Sequence, residues 1–183
     1  SAFSEIANFA GVAASDWAWC PMFIDVDLDG FEDLLVTNGV ERNARHLDTI
    51  IKLRKQRESR TMTNREILLA RKVFPSQNTA NVAFRNLGNL KFAKAGIEWG
   101  FDTKGVSHGM ASGDLDGDGD LDVYVANVGQ ANKLYRNDGG LTFTDATSSV
   151  MADTGDGRGV LFADFDGDGD LDVYVVNSGQ ANK

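Results

Sequence analysis

The sequence is poor in cysteine, histidine and proline, with one cysteine, two histidines and two prolines among 183 residues. Cys20 has no partner for a disulfide within the chain, and a metal site built from several thiolates is excluded. The two histidines, His46 and His108, offer few candidates for acid/base catalysis. No apolar run approaches the roughly 20 residues of a membrane span, so none is expected in this stretch of chain.

Positive charge is scarce outside one segment. The formal net charge is −9, yet residues 41–72 hold ten Lys and Arg against four Asp and Glu, a net +6 that leaves −15 for the rest of the chain. A chain this acidic is not expected to bind nucleic acid. For the basic segment, phosphate binding and a solvated helix face are both open, and the solvated helix face is favoured.

One acidic pattern occurs three times, at residues 25–33, 114–122 and 164–172, and each copy reads D-x-D-x-D-G-x-x-D. Carboxylates at positions 1, 3 and 5 can converge if the backbone curls, and the glycine at position 6 permits the turn. Position 7 can add a backbone carbonyl, and the aspartate at position 9 can close the shell. Such all-oxygen sites suit calcium. Asp-Gly pairs also form ordinary turns, but that alternative does not explain three equal copies.

The loops are not EF-hands, although they begin like one. An EF-hand needs a glutamate at position 12 and a helix on either side, whereas position 12 here is Val36, Val125 or Val175. The residues after each loop are β-branched and aromatic, which indicates buried strands. Each loop is therefore predicted to join two strands.

The strands form a repeating unit of four, named A to D. Strand A precedes the acidic loop, strand B follows it, and strands C and D are joined by a Gly-containing turn such as 138–140. The second and third loops are 50 residues apart and the first and second 89 apart, so one unit carries an insertion of about 39 residues. Four strands at this period are typical of a β-propeller blade. The predicted fold is all-β: a partial β-propeller of four-stranded blades with calcium loops between strands A and B, plus a small α-helical insertion.

The predicted division of the chain is incomplete at both ends. It comprises strand D of a preceding blade (1–8), a first blade (17–95) with the helical insertion (41–80), a second blade (107–146) and the truncated start of a third (158–183). Because propellers close with four to eight blades, the chain is expected to be a fragment of a longer protein, or to close a ring with further copies.

The insertion is predicted to contain two short helices. Leu47, Ile50 and Ile51 lie at helical spacing, and Thr63 with Glu66 forms a possible capping box for a second helix that ends before Pro75. Because successive blade strands are antiparallel, the B-to-C insertion projects from the face opposite the calcium loops, beside the D-to-A loops. A large ligand is expected on that face.

The motifs resemble FG-GAP or VCBS repeats, the propellers of the integrin α type. The resemblance rests on D-x-D-x-D-G-x-x-D before L-D-V-Y-V, on N-K-L-Y-R-N-D-G at 132–139 and on L-T-F-T-D at 141–145. More narrowly, residues 37–39, 75–77 and 81–88 resemble bacterial proteins that often carry an ASPIC/UnbV domain. The first repeat departs from the others, since Cys20-Pro21 stands where they have His108-Gly109 and Arg158-Gly159.

The resemblance implies three calcium sites and an extracytoplasmic location: secreted, periplasmic or at the cell surface. The implied side-chain ligands are Asp25, Asp27, Asp29, Asp33, Asp114, Asp116, Asp118, Asp122, Asp164, Asp166, Asp168 and Asp172. The implied backbone-carbonyl ligands are Phe31, Asp120 and Asp170.

Two functions are compatible with these features. The first is a non-enzymatic adhesion module in which structural calcium stiffens a propeller that recognises a protein or glycan. The alternative is the propeller portion of a polysaccharide-active lyase or hydrolase, for which no catalytic pair is readable. A lectin is the intermediate case, with Trp17, Trp19 and Trp99 as possible stacking platforms, although core packing is the default for such residues.

Overall fold

The computed structural model describes residues 4–183. The first half of the chain forms α1 (Ala7–Ala10), β1 (Ala18–Ile24), β2 (Asp33–Asn38), α2 (Leu47–Ser59), α3 (Asn64–Ala70) followed by a 3-10 turn (Arg71–Val73), β3 (Thr79–Ala80), β4 (Val82–Asn86) and β5 (Phe92–Lys94). The second half forms β6 (Lys104–Gly105), β7 (Ser107–Gly113), β8 (Asp122–Asn127), β9 (Lys133–Asn137), β10 (Phe143–Asp145), β11 (Gly157–Ala163) and β12 (Asp172–Asn177).

The strands form two four-stranded antiparallel sheets in sequential order. The first sheet runs β1-β2-β4-β5, the second runs β7-β8-β9-β10, and β11 pairs with β12 in a third. Short loops join the strands of the second sheet: at the β9–β10 turn, for example, the Gly139 amide donates to the Asn137 side chain at 3.2 Å. In the first sheet the insertion joins β2 to β4. The predicted order A-B-C-D is therefore present in both four-stranded sheets, which do not close into a barrel within residues 4–183.

The core lies between the sheets, which pack side by side. Strand β7 contacts β1 and β2 on one side and β11 on the other. Strand β8 contributes to two hydrophobic clusters, because successive side chains along a strand point to opposite faces of the sheet. Val123 and Val125 pack with Trp99 and Phe101 against the first sheet, whereas Tyr124 packs toward the third.

The insertion contains the two predicted helices. His46 caps α2, and α3 begins with the predicted capping box, in which the Glu66 amide donates to Thr63 Oγ1 at 3.3 Å and the Thr63 amide donates to Glu66 Oε2 at 2.9 Å. The insertion also ends in a strand that the sequence analysis missed: β3 pairs with β6. A two-residue strand leaves no recognisable period in the sequence.

The base of the insertion rests on the connections that lead into β1 and β7 and on the start of β11. The β3–β6 pair joins it to the connection before β7. The Arg45 guanidinium lies 5.0 Å from the ring centre of Trp17, and Glu41 forms an ion pair with Arg158. The insertion therefore lies beside the D-to-A connections, as the alternation of strand directions predicted.

The prediction of a strand over residues 1–8 is wrong in its last residues. Residues 1–3 lie outside the described residues, and Ala7–Ala10 forms a helical turn instead. Gly11 ends this turn in the left-handed conformation, at φ 87°, and its amide donates to the Ala7 carbonyl at 3.0 Å. These local bonds satisfy the backbone without a partner strand.

The comparison of Cys20-Pro21 with His108-Gly109 and Arg158-Gly159 is also wrong, by one residue. Ile24 pairs with Asp33 as Gly113 pairs with Asp122, so the residue equivalent to His108 and Arg158 is Trp19. These three residues form a row: the Trp19 and His108 rings stack with centres 4.3 Å apart, and Arg158 Nη1 donates to His108 Nδ1 at 3.1 Å. Counted by this register, Cys20 is equivalent to Gly109 and Gly159 rather than to His108 and Arg158.

Within residues 4–183, no helix combines the length and the apolar character that crossing a bilayer requires.

Candidate metal sites

The three acidic loops connect β1 to β2, β7 to β8 and β11 to β12. Each loop turns at its position 6 glycine, since Gly30, Gly119 and Gly169 have φ of 91°, 96° and 98°. A residue with a Cβ pays a steric cost in this left-handed region. The spacing of the motif thus produces the same curled backbone three times.

The first carboxylate of each loop holds the curl in place. Asp114 accepts from the amides of Gly117 and Gly119 at 2.7 and 3.1 Å, one on each oxygen. Asp164 accepts two glycine amides in the same way, and Asp25 accepts two amides of its own loop. The position 5 carboxylate accepts the amide of position 7, as between Asp118 and Asp120 at 2.9 Å. Phe31 and Asp170, the other position 7 residues, donate likewise.

Three carboxylates converge in each loop. Their ligand atoms lie within 4.8 Å of one another in the groups Asp25, Asp27, Asp29; Asp114, Asp116, Asp118; and Asp164, Asp166, Asp172. The first two loops thus bring together positions 1, 3 and 5, whereas the third brings together positions 1, 3 and 9. Each group offers only oxygen ligands and could hold a hard divalent cation such as calcium.

The position 9 aspartates of the first two loops have a role that sequence reasoning missed. Asp33 accepts from the Val26 amide at 3.1 Å and the Asn86 amide at 2.8 Å, so it fastens the loop to β4. Asp122 does the same with Leu115 and Asn137. The loop sequence predicts the strand that begins at this aspartate. It does not predict the second hydrogen bond, because the donor amide lies in the distant strand β4 or β9.

Burial sets the protonation of these position 9 carboxylates. Asp33 and Asp122 are each 1% exposed. Loss of solvation raises the pKa of Asp33 to about 6, although the two amide hydrogen bonds act in the opposite direction. Desolvation likewise raises the pKa of Asp122. A nearby cation would therefore favour the charged form of both carboxylates.

Position 3 of the first loop carries a buried carboxylate that has one cationic neighbour and accepts no aligned hydrogen bond. The Asp27 side chain is 2% exposed, and neither of its oxygens accepts a hydrogen bond. Arg85 Nη2 lies 2.5 Å from Oδ2, an ion contact without hydrogen-bond alignment. In the second loop the equivalent Arg136 lies 3.8 Å from Asp116 and is shared with Asp138. Burial of a carboxylate that accepts no hydrogen bond is costly, so both Asp27 oxygens are available to a further cation.

The other candidate residues have structural contacts. His46 Nδ1 accepts the Thr49 amide at 3.4 Å and so caps α2. Burial, followed by the positive charge of Arg158, lowers the pKa of His108, which is therefore neutral at pH 7. The polysaccharide-active alternative gains no catalytic pair from these two contacts. Trp99 is 0% exposed, so the stacking platform considered for it is wrong.

Comparison with known proteins agrees with the repeat. A family model described as an FG-GAP-like repeat matches residues 64–125 and 114–175. The two matches overlap at the second acidic loop and together span more than half of the chain, while the first loop at 25–33 lies outside both. No curated protein matches the chain.

Proposed function

Because the chain belongs to the FG-GAP-like repeat family, we propose that it is part of a calcium-stiffened β-propeller that recognises a protein or a glycan. The two four-stranded sheets would be blades of that propeller. Calcium would lie in the A-to-B loops and would have a structural role. The narrower relationship to proteins with an ASPIC/UnbV domain stays a prediction.

The observation that carries the calcium proposal is the state of Asp27. It is a buried carboxylate with no hydrogen-bond donor on either oxygen, beside two further carboxylates, Asp25 and Asp29. Two carboxylates about 4 Å apart repel by roughly 4 kcal/mol at an effective dielectric of 20. A single guanidinium, Arg85, faces Asp27. A divalent cation would offset this repulsion and would coordinate carboxylate oxygens that accept no hydrogen bond.

The recognition surface would lie at the opposite end of the sheets. The insertion and the connections into strand A converge there, through the β3–β6 pair and a contact of 3.4 Å between the side chains of Gln77 and Asp16. Loops carried on a rigid β scaffold are the usual place for binding residues. Structural and recognition roles would thus occupy different ends of one scaffold.

An extracytoplasmic location fits this proposal. Calcium sites of extracellular modules have dissociation constants of about 10⁻⁴ to 10⁻³ M, and such sites would stay empty at cytosolic calcium levels. A propeller that depends on calcium for rigidity is therefore suited to the secreted, periplasmic or cell-surface setting.

The test is calcium-dependent melting of loop variants. Calcium at about 100 times its dissociation constant stabilises the folded state by about 2.7 kcal/mol per site, and each kcal/mol raises the melting temperature by roughly 2–4 °C in a protein of this size. The triple variant D27N/D116N/D166N is expected to lose this rise, whereas D102N, a control at an exposed aspartate outside the loops, is expected to keep it. A triple variant that keeps the full rise would refute the proposed sites.

A further inference from the structure

Helices α2 and α3 enclose a groove that the β scaffold does not fill. Its volume is about 330 Å³, at the lower end of the roughly 300–1,000 Å³ of small-ligand pockets. The lining from α2 repeats at i, i+3, i+4 and i+7, and so does the lining from α3 and the turn after it. The residues that define this α2–α3 groove are Ile50, Leu53, Arg54, Arg57, Met62, Ile67, Ala70, Arg71 and Phe74.

Helices α2 and α3 expose apolar side chains to solvent. Neither α2 nor α3 has a buried residue. Ile50 is 39% exposed, and the other apolar residues of the groove are half-buried. Leu68 and Leu69, at 63% and 49% exposed, extend the apolar surface of α3 outside the groove. Contiguous exposed apolar surface with a polar rim marks interaction sites. The hairpin is therefore an exposed surface suited to binding a partner, and it is not part of the core within residues 4–183.

The groove is presented on a rigid base, which lowers the entropic cost of binding. Val40 and Gln77 bridge the two ends of the insertion, with backbone hydrogen bonds of 3.0 and 2.8 Å. The Asn43 side chain donates to that of Gln77 at 2.8 Å. The α2–α3 hairpin thus projects from a closed base at the same end as the connections into strand A.

The rim of the groove is cationic. Arg54 is paired with Glu58 at 3.0 Å. Arg57 and Arg71 take part in none of the ion pairs formed within residues 4–183. Guanidinium groups bind carboxylates through two parallel hydrogen bonds, a geometry that an ammonium group does not offer. Two unpaired arginines beside an apolar floor select an acidic ligand with apolar side chains.

We propose that the α2–α3 groove binds an acidic amphipathic segment of a partner protein, with leucine-like side chains on the floor and carboxylates on Arg57 and Arg71. This inference rests on the proposed recognition role. Charge complementarity supports this occupant, because the insertion carries +6 and the remainder of the chain −15, so an acidic partner is attracted to the insertion rather than to the rest of the chain. A concave groove with helical spacing fits a peptide helix better than a flat bilayer.

The test measures binding of a labelled helical peptide in which leucines at i, i+3, i+4 and i+7 alternate with glutamates, by fluorescence anisotropy with calcium present. We expect R57E/R71E to weaken binding at least about tenfold, since each charge-assisted contact is worth well over 1 kcal/mol. R65E reverses one charge on α3 outside the groove and is expected to change binding less than about twofold. Binding should also weaken as salt rises.

Three outcomes would overturn the inference. They are equal binding of the peptide with lysine in place of glutamate, equal loss with R65E and R57E/R71E, or binding to phosphatidylserine vesicles in place of the peptide. The variants are expected to keep the fold, because all three arginines are exposed. Circular dichroism checks this. If the peptide fails to bind while calcium still raises the melting temperature, the groove assignment fails and the calcium scaffold stands.

Discussion

Replacing Asp33 by asparagine separates a structural clamp from a metal ligand. Asp33 accepts one backbone amide on each oxygen, at 3.1 and 2.8 Å, from Val26 and Asn86. The asparagine oxygen can keep one of these bonds, and its amide nitrogen then faces a buried N–H donor. An unsatisfied buried donor costs about 1–3 kcal/mol, and a bond to a charged acceptor is worth about 1.5–3 kcal/mol.

Part of this cost is offset, because burial of the Asp33 charge is itself unfavourable, as its raised pKa of about 6 indicates. We therefore expect a net loss of about 2 kcal/mol, which corresponds to a fall in melting temperature of roughly 4–8 °C. Differential scanning calorimetry in chelator-treated buffer measures it.

D172N is the matched control. Asp172 occupies the same position of the third loop, but it is exposed and accepts only the Phe165 amide among residues 4–183, at 2.9 Å. We expect D172N to lower the free energy of unfolding by less than about 1 kcal/mol. The clamp would be refuted if D33N and D172N cost the same without calcium, or if D33N cost nothing until calcium is added.

Three further predictions concern local chemistry. L28G is expected to stabilise the protein by about 1 kcal/mol in urea denaturation, because Leu28 is exposed and held at φ 52°, where the other loops have glycine; an unchanged midpoint would contradict this. In calcium-free buffer the difference in free energy of unfolding between wild type and D33N is expected to widen from pH 7 to pH 5. The reason is that Asp33 binds a proton near pH 6 in the folded state but only near pH 4 in the unfolded state, so wild type gains stability as the pH falls. A difference that narrows would refute this. T63A is expected to speed hydrogen exchange in α3 roughly fivefold, through loss of a cap worth about 1 kcal/mol, with the melting temperature nearly unchanged.

The sequence predicted those parts of the fold that are encoded over short distances. The strands next to each acidic loop, the Gly-containing turns and the capping box at Thr63 all depend on neighbours within a few residues. The β3–β6 pair and the position of Trp19 beside His108 depend instead on contacts between distant segments. The prediction placed Cys20 one residue out of register, whereas counting back from Asp25 places Trp19 six residues before the loop, as His108 lies before Asp114.

The candidate sites show the same division. Alternate aspartates and a glycine at position 6 predicted which carboxylates can converge, because the loop geometry is local. The dual role of position 9 was not predictable from the loop, because its second partner is an amide in β4 or β9. Nor did the spacing indicate that Arg85 on β4 would face Asp27, since strand pairing brings it there.

Calcium in the first loop would act on more than the loop itself. Val26, at position 2, donates its amide to Asp33 and accepts from Asn137 Nδ2 of the second sheet at 2.9 Å. At the other end of the same two sheets, Thr37 Oγ1 donates to the His108 carbonyl at 2.5 Å. A change of loop conformation at Val26 must therefore disturb the contact between sheets at one end, while the contact at Thr37 holds them at the other. Since the insertion is attached between β2 and β4 of the first sheet, a shift between the two sheets would also move the α2–α3 groove relative to the second sheet.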